Sequence, residues 1–525
     1  MSGRRPGLVL ASWLALAGCG GATPAPESAT PAAARAVSGH VSFGARLPTP
    51  AGLTATEVLR PARYVEVRLL GAGDAVVATA HTDATGAYAI EGAGSALEIV
   101  AHAEHDGLSI ETTHDAGGQR DHTFRVPLSA PAAEPVDVTI RDAESEMAGA
   151  LHIVDTLLGG LEAVQRWVGV TLPSVYVYWG RGVTTDWSYY RGEVPEGSGR
   201  FCLELLGGQP GQQASTDTDE HDEAIILHEL GHFVMDRISG DSSIGGMHPR
   251  GVLVDPGLAW EEGRATWFAT AVLGDPSYRD TIGIVGMGST RVDENLETPQ
   301  PPRGLGSETS VAGILWDLSD GGAYGLPDVD GDGVAIGPAA VLLAMRDQAL
   351  EPGTFASSSS FLRFLVRTQR ASPTELAAML ATTGEPATLL PADDVSLWPI
   401  DVSVGASAHG EVDGLTDPAP SGGTARPENG FDAVRAFRVH VAERGMLDVQ
   451  MIIDGTGGPA DRTDLDLELR DLRAHVLDRT VGASPRQAVV DLVEPGDYLA
   501  YVRDAGSGNR ARFELHVALT PVAGP

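Results

Sequence analysis

Two imidazoles four residues apart, with a carboxylate between them, form the stretch His228-Glu229-Leu230-Gly231-His232. On a helix, side chains four residues apart lie one above the other on a single face. Two neutral imidazoles so placed can hold Zn²⁺, and the carboxylate between them can act on a metal-bound water as general base. Catalytic zinc sites take a third protein ligand and keep one position open. Glu262 suits that role. It stands thirty residues after His232, a gap that accommodates a loop and a returning helix. Its helical neighbours Ala265, Thr266 and Ala269 are small enough to let another helix approach closely. Glu261 is left to the favourable interaction of an acid with a helix N-terminus.

The flanks place the motif inside a helix. Asp217, Thr218 and Asp219 supply N-cap chemistry, Leu227, Leu230, Val234 and Ile238 recur at helical spacing, and Gly240 supplies a stop. Two histidines on an otherwise apolar helix are costly to bury without a metal or hydrogen-bond partners. Residues 259–273 read as the second helix, carrying Glu262, and residues 143–168 as a long helix with one apolar stripe. Val175 to Trp179 reads as a strand, and residues 307–318 as a further helix. On that last helix Asp317 has two readings, a hydrogen-bond partner for a ligand histidine or a solvent-facing charge.

HELGHFVMD followed by WEEGRATWFA resembles the gluzincin zinc metallopeptidases. The resemblance implies His228, His232 and Glu262 as zinc ligands and Glu229 as catalytic base. It further implies hydrolysis of peptide bonds in a protein or peptide substrate, with endopeptidase action. Such enzymes add a His or Tyr donor for the developing oxyanion. Tyr324, Tyr278 and His248 are the candidates, each with an ordinary surface role as its alternative. The metzincin pattern fails because position 238 is Ile. The thermolysin branch carries Asp four residues after the ligand Glu, where this chain has Thr266, so the subfamily stays open. A reading of a different class is a surface-binding or adhesion lipoprotein that keeps a peptidase-like fold without turnover.

At 525 residues the chain is long enough for more than one domain. Its net charge is −35, an acidic balance that argues against a nucleic-acid partner. Arg4 and Arg5 precede a short apolar run, and Leu16-Ala17-Gly18-Cys19 resembles the lipobox of bacterial lipoproteins. That resemblance implies cleavage before Cys19, lipidation of Cys19 and anchoring in the bacterial cell envelope; Gly20 is compatible with the outer membrane. Extracellular release is the alternative. No other segment reads as long and apolar enough to span a bilayer. With Cys19 lipidated, Cys202 has no intramolecular partner and reads as a buried thiol.

The fold expected is multidomain: an immunoglobulin-like β-sandwich, an α+β zincin-like catalytic domain with a mostly helical second half, and a second β-sandwich. Residues 1–18 are the signal peptide and 19–37 an Ala/Pro-rich tether. Residues 38–130 alternate as β-structure, and their T-D-x-x-G-x-Y turn (Thr82 to Tyr88) resembles carboxypeptidase-regulatory-like modules. Residues 138–395 form the peptidase-like domain. Residues 402–525 return to alternation, and their D-L-D-L-x-L and P-G-x-Y pieces resemble the pre-peptidase C-terminal domain. Asp328, Asp330 and Asp332 resemble the first half of a calcium loop, but position twelve is Ala339, so an acidic surface turn is the other reading. The chain is expected to act as a monomer.

Overall fold

The computed structural model describes residues 35–129, 135–183, 187–212, 215–283, 290–321, 323–391, 396–414, 429–456, 464–504 and 510–522. The expected signal peptide and Cys19 lie outside these residues. The protein is multidomain, and among the described residues seven α-helices lie between β-layers. The helices are α1 (Met147–Val168), α2 (Glu223–Ile238), α3 (Pro256–Leu273), α4 (Glu308–Asp317), α5 (Pro338–Ala349), α6 (Ser358–Arg367) and α7 (Pro373–Thr382). The α1 helix is long and apolar enough to cross a membrane, contrary to the sequence expectation, but it is buried inside the protein.

The N-terminal β-layer does not end at residue 130. Val175–Tyr178 pairs in parallel with Leu108–Thr113 on one side and with Phe201–Glu204 on the other. One eight-stranded sheet therefore runs from Val76–His81 through Val65–Leu70, Ala96–His105 and Leu108–Thr113 to Tyr189–Glu193. Val138–Ile140 also returns to the N-terminal layer, pairing with Arg35–Ala45. A single hydrophobic core joins Val41, Phe43, Val67 and Ile99 of that layer to Leu157 of α1, Leu230 of α2 and Trp267 of α3. The expected boundary between residues 130 and 138 is a break in chain pattern and not in packing. The physical reason is Val175-Tyr-Val, buried on both faces, which needs strand partners on both edges.

Residues 400–522 form a β-sandwich. Five strands, ordered Ile400–Ser403, Val434–Val441, Gly496–Asp504, Leu465–Asp471 and Val476–Thr480, face four, ordered Ser407–Asp413, Arg510–Pro521, Gly445–Thr456 and Arg486–Val493. Val439, Val449, Leu467, Val502, Phe513 and Leu515 fill the space between the sheets. The sandwich is joined to the helical region. Phe355 and Trp398 pack against Val434, Leu499 and Tyr501, and the Asp255 N–H donates to Asn429 O at 2.8 Å. Asp255 also caps α3, accepting from the N–H groups of Gly257 and Leu258.

A buried polar network fixes the start of α2. His152 of α1 has Nδ1 2.8 Å from Glu220 O and Nε2 3.3 Å from Glu223 Oε1. Arg60 of the N-terminal layer donates to the same Glu223 oxygen at 2.6 Å. His221 lies 3.2 Å from Asp142, which accepts from Arg46 at 2.7 Å. The α2 helix begins at Glu223, later than the N-cap chemistry at Asp217 to Asp219 suggested. Those acids instead gather with Asp280. Burial opposes the Glu223 charge, but His152 and Arg60 outweigh it and bring the carboxyl from 4.5 down to about 2. A depressed folded-state pKa contributes stability that is complete above the unfolded value and is lost as pH falls through the folded one. Glu223→Gln is therefore expected to destabilise the protein by about 2–3 kcal/mol at pH 7. Its gap to wild type in urea unfolding should shrink between pH 4.5 and about pH 2; a gap independent of pH would refute the linkage.

Candidate metal centre

The metal helix and its neighbour approach each other backbone to backbone. A Cβ on Gly231 of α2 would stand 2.9 Å from Ala265 Cα of α3. A Cβ on Gly263 would stand 2.4 Å from Val311 Cβ and 2.7 Å from Glu308 O of α4. Helix axes this close require small residues at the crossing, and glycine provides the minimum. The three helices stack with α3 in the middle, so Glu262 faces the imidazoles of α2 while Glu308 enters from the first turn of α4.

Three donor atoms converge. His228 Nε2 is 3.1 Å from His232 Nε2 and 3.2 Å from Glu262 Oε2, and His232 Nε2 is 3.3 Å from the same oxygen. Around a tetrahedral ion with bonds of ~2.0–2.1 Å, donors stand roughly 3.3–3.4 Å apart. The residues therefore fit zinc in number, type and spacing. His228 Nδ1 lies 3.1 Å from Thr266 Oγ1, a contact that holds the ring with Nε2 toward the centre. Glu261 has a different task. It is buried, accepts from the Ser242 N–H at 3.2 Å and pairs with Arg264, so it ties down the loop after α2.

That loop delivers His248. Its Nε2 is 3.6 Å from Glu262 Oε1 and its Nδ1 3.4 Å from Glu308 Oε2, with 38% of its side chain exposed. Burial disfavours charge on both histidines. The carboxylates nevertheless win, raising His232 to about 9 through Glu262 and His248 to about 10 through Glu262 and Glu308. For Glu262, burial is outweighed by His232 and His248, which hold its carboxyl well below the ordinary range. The site's field thus favours positive charge between these groups, which a divalent ion would satisfy with neutral imidazoles. Glu229 is buried, and its charge acts on His232, His248 and Tyr278, which places it at the same centre.

Of the three oxyanion-donor candidates, the structure brings His248 and Tyr278 to the site; the Tyr278 ring lies 5.8 Å from that of His228. Tyr324 is half exposed and packs against Gly337 at the start of α5. Asp317 meets neither sequence reading. It is 2% exposed, so it does not face solvent, and the charges acting on it are Asp332, Asp330, Asp320 and Glu297, so it does not orient a ligand histidine. Thr266 takes that orienting role, one helical turn beyond Glu262. Sequence reading marked position 266 only as a small neighbour of Glu262 and a departure from the thermolysin pattern, and Glu308 carried no motif at all. Asp328, Asp330 and Asp332 do come together, each offering an oxygen within 4.8 Å of the others. A cavity of about 670 Å³, lined by Gln348, Phe355, Arg363, Phe364 and Arg438, holds none of these residues.

Residues 175–340 match the family described as Mycolysin C-terminal domain, which makes the chain peptidase-related. The matched stretch contains His228, Glu229, His232, His248, Glu262 and Glu308. No curated protein matches the chain. Among solved structures, the pre-peptidase C-terminal domain of a collagenase from Bacillus anthracis shares 16% identity over 22% of this chain and 91% of its own, with a TM-score of 0.16. The Yersinia pseudotuberculosis-derived mitogen shares 12% over 23% and 88%, with a TM-score of 0.15. At such TM-scores these likenesses carry no weight for fold or function.

Thr266→Val, which keeps the shape and removes the hydroxyl, is expected to weaken zinc binding by about tenfold or more in competition with a chromophoric chelator. Unchanged affinity would remove Thr266 from the centre.

Proposed function

We propose that the protein is a zinc-dependent peptidase in which His228, His232 and Glu262 hold the metal and Glu229 is the catalytic base. The observation that carries the reading is the convergence of three donor atoms within 3.3 Å of one another. The family match over the same residues supports it, since mycolysin is a zinc metallopeptidase. When bound, zinc supplies Lewis acidity, making water a better nucleophile and polarising the scissile carbonyl. Glu229 takes the proton of the attacking water on its carboxylate and passes it to the leaving amine. His248, with Nδ1 toward Glu308, presents Nε2 as the donor for the oxygen that gains negative charge. A carboxylate behind an imidazole keeps that ring protonated and fixed in direction.

With zinc restored and unfolded casein as substrate, Glu229→Gln is expected to lower kcat by about 10²–10⁴ while zinc content stays at wild-type level. His248→Gln should cost about 10²–10³ in kcat with a smaller change in KM. Full turnover by Glu229→Gln would overturn the assignment.

We also propose that lipidated Cys19 anchors the enzyme in a bacterial membrane; Arg4, Arg5, the apolar run and Leu16-Ala17-Gly18-Cys19 support this. Cys19→Ser should move the protein from the detergent-extracted membrane fraction to the soluble one. Retention in the membrane fraction would rule out this anchor.

A further inference from the structure

We infer that Asp328, Asp330 and Asp332, closed by Asp317 and Asp320 at the end of α4, form a calcium site separate from the metal centre. The loop is arranged for a cation. Asp328 Oδ1 accepts from the Gly331 N–H at 2.7 Å, Asp330 Oδ1 from Asp332 N–H at 3.1 Å and Asp332 Oδ1 from Val334 N–H at 3.0 Å. Each carboxylate thus spends one oxygen on the loop's own backbone. The second oxygens of Asp330 and Asp332 are buried without a hydrogen-bond partner.

The independent observation is Asp317. It is 2% exposed, and its Oδ2 is buried with no partner. Burial and the carboxylates of Asp332, Asp330, Asp320 and Glu297 push its carboxyl well above the ordinary range. Asp320, also 2% exposed, is pushed up to about 8 by burial and by Glu297, Asp332, Asp328 and Asp330. Acids at the C-terminal end of a helix also face the negative end of its dipole. A bound cation would turn these unfavourable interactions into favourable ones.

The fold holds the two halves of the site together. Glu297 Oε2 accepts from the N–H groups of Val329 and Asp330, and its Oε1 accepts from Trp316 Nε1 beside Asp317. The N–H groups of Ile336 and Gly337 donate to Leu318 O, closing the loop back on α4. An EF-hand-type loop draws a bidentate Glu from position twelve, which is Ala339 here. In its place, the buried Asp317 and Asp320 at the end of α4 stand close enough for the charges of Asp330 and Asp332 to act on them. Several carboxylates and no nitrogen donor suit calcium, while magnesium keeps most of its water. Because α4 also carries Glu308 and packs on Gly263, the ion would brace the helix that orients His248.

The test uses the full-length, zinc-loaded protein in calcium-depleted buffer, with calcium chloride as probe and magnesium chloride as comparison. Calcium is expected to bind at this site and to raise Tm by several degrees, with a smaller effect of magnesium. The Asp330→Asn/Asp332→Asn double variant should lose the shift, and Asp317→Asn should weaken calcium binding by roughly tenfold or more. Glu229→Gln should keep the calcium shift whether or not the peptidase reading holds. No calcium-dependent shift at millimolar calcium would overturn the inference. So would a shift that survives the double variant and is lost with Asp217→Asn, which would assign the ion to the Asp217, Asp219 and Asp280 cluster. Unchanged calcium affinity in Asp317→Asn would remove α4 from the site.

Discussion

The site depends on how closely α2 lies on α3. Gly231 over Ala265 leaves no room for even one added carbon, and at this separation Glu262 Oε2 sits 3.2–3.3 Å from both imidazole nitrogens. A larger residue at the crossing would push apart two packed helices that cannot deform locally. Each donor would then move away from the common centre. The motif's second variable position, Gly231, is therefore as constrained as its histidines, for a steric reason instead of a chemical one. Gly263 repeats the device on the other face of α3, admitting α4 and with it Glu308.

The two β-layers each hold one end of this helix pair. Arg60 of the N-terminal layer, with His152 of α1, grips Glu223 at the first turn of α2. Asn429 of the C-terminal region bonds Asp255, the cap of α3. Directional hydrogen bonds of this kind, charged at α2 and between backbones at α3, are costly to break and favour a single arrangement. The layers thus set the relative position of the helices that carry the donors, and they do so with directional bonds instead of apolar contact alone.

Charge is handled in two ways. At the metal centre Glu262 and Glu308 are set among His228, His232 and His248, so protons or a metal can balance them. At the end of α4 the carboxylates surround one another, and burial raises their cost. The first arrangement offers mixed nitrogen and oxygen donors and the second oxygen alone, which separates the ions they would prefer.

Much was determined by the sequence alone, because it is local. The i, i+4 spacing of His228 and His232 requires only a helix, and apolar periodicity located α1, α3 and α4 to within a few residues. Alternation marked residues 402–525 as β-structure. The tertiary structure decided what depends on partners distant in the chain. Strand Val175–Tyr178 announced itself by composition but not by its neighbour Leu108–Thr113, since register with a remote strand leaves no mark in a single sequence. Thr266 stands against His228 where Asp317 had been considered, because the direction of a side chain across a helix bundle depends on packing angles, which periodicity does not encode. Glu308 reached the site from a helix with no recognisable motif, through the space left beside Gly263.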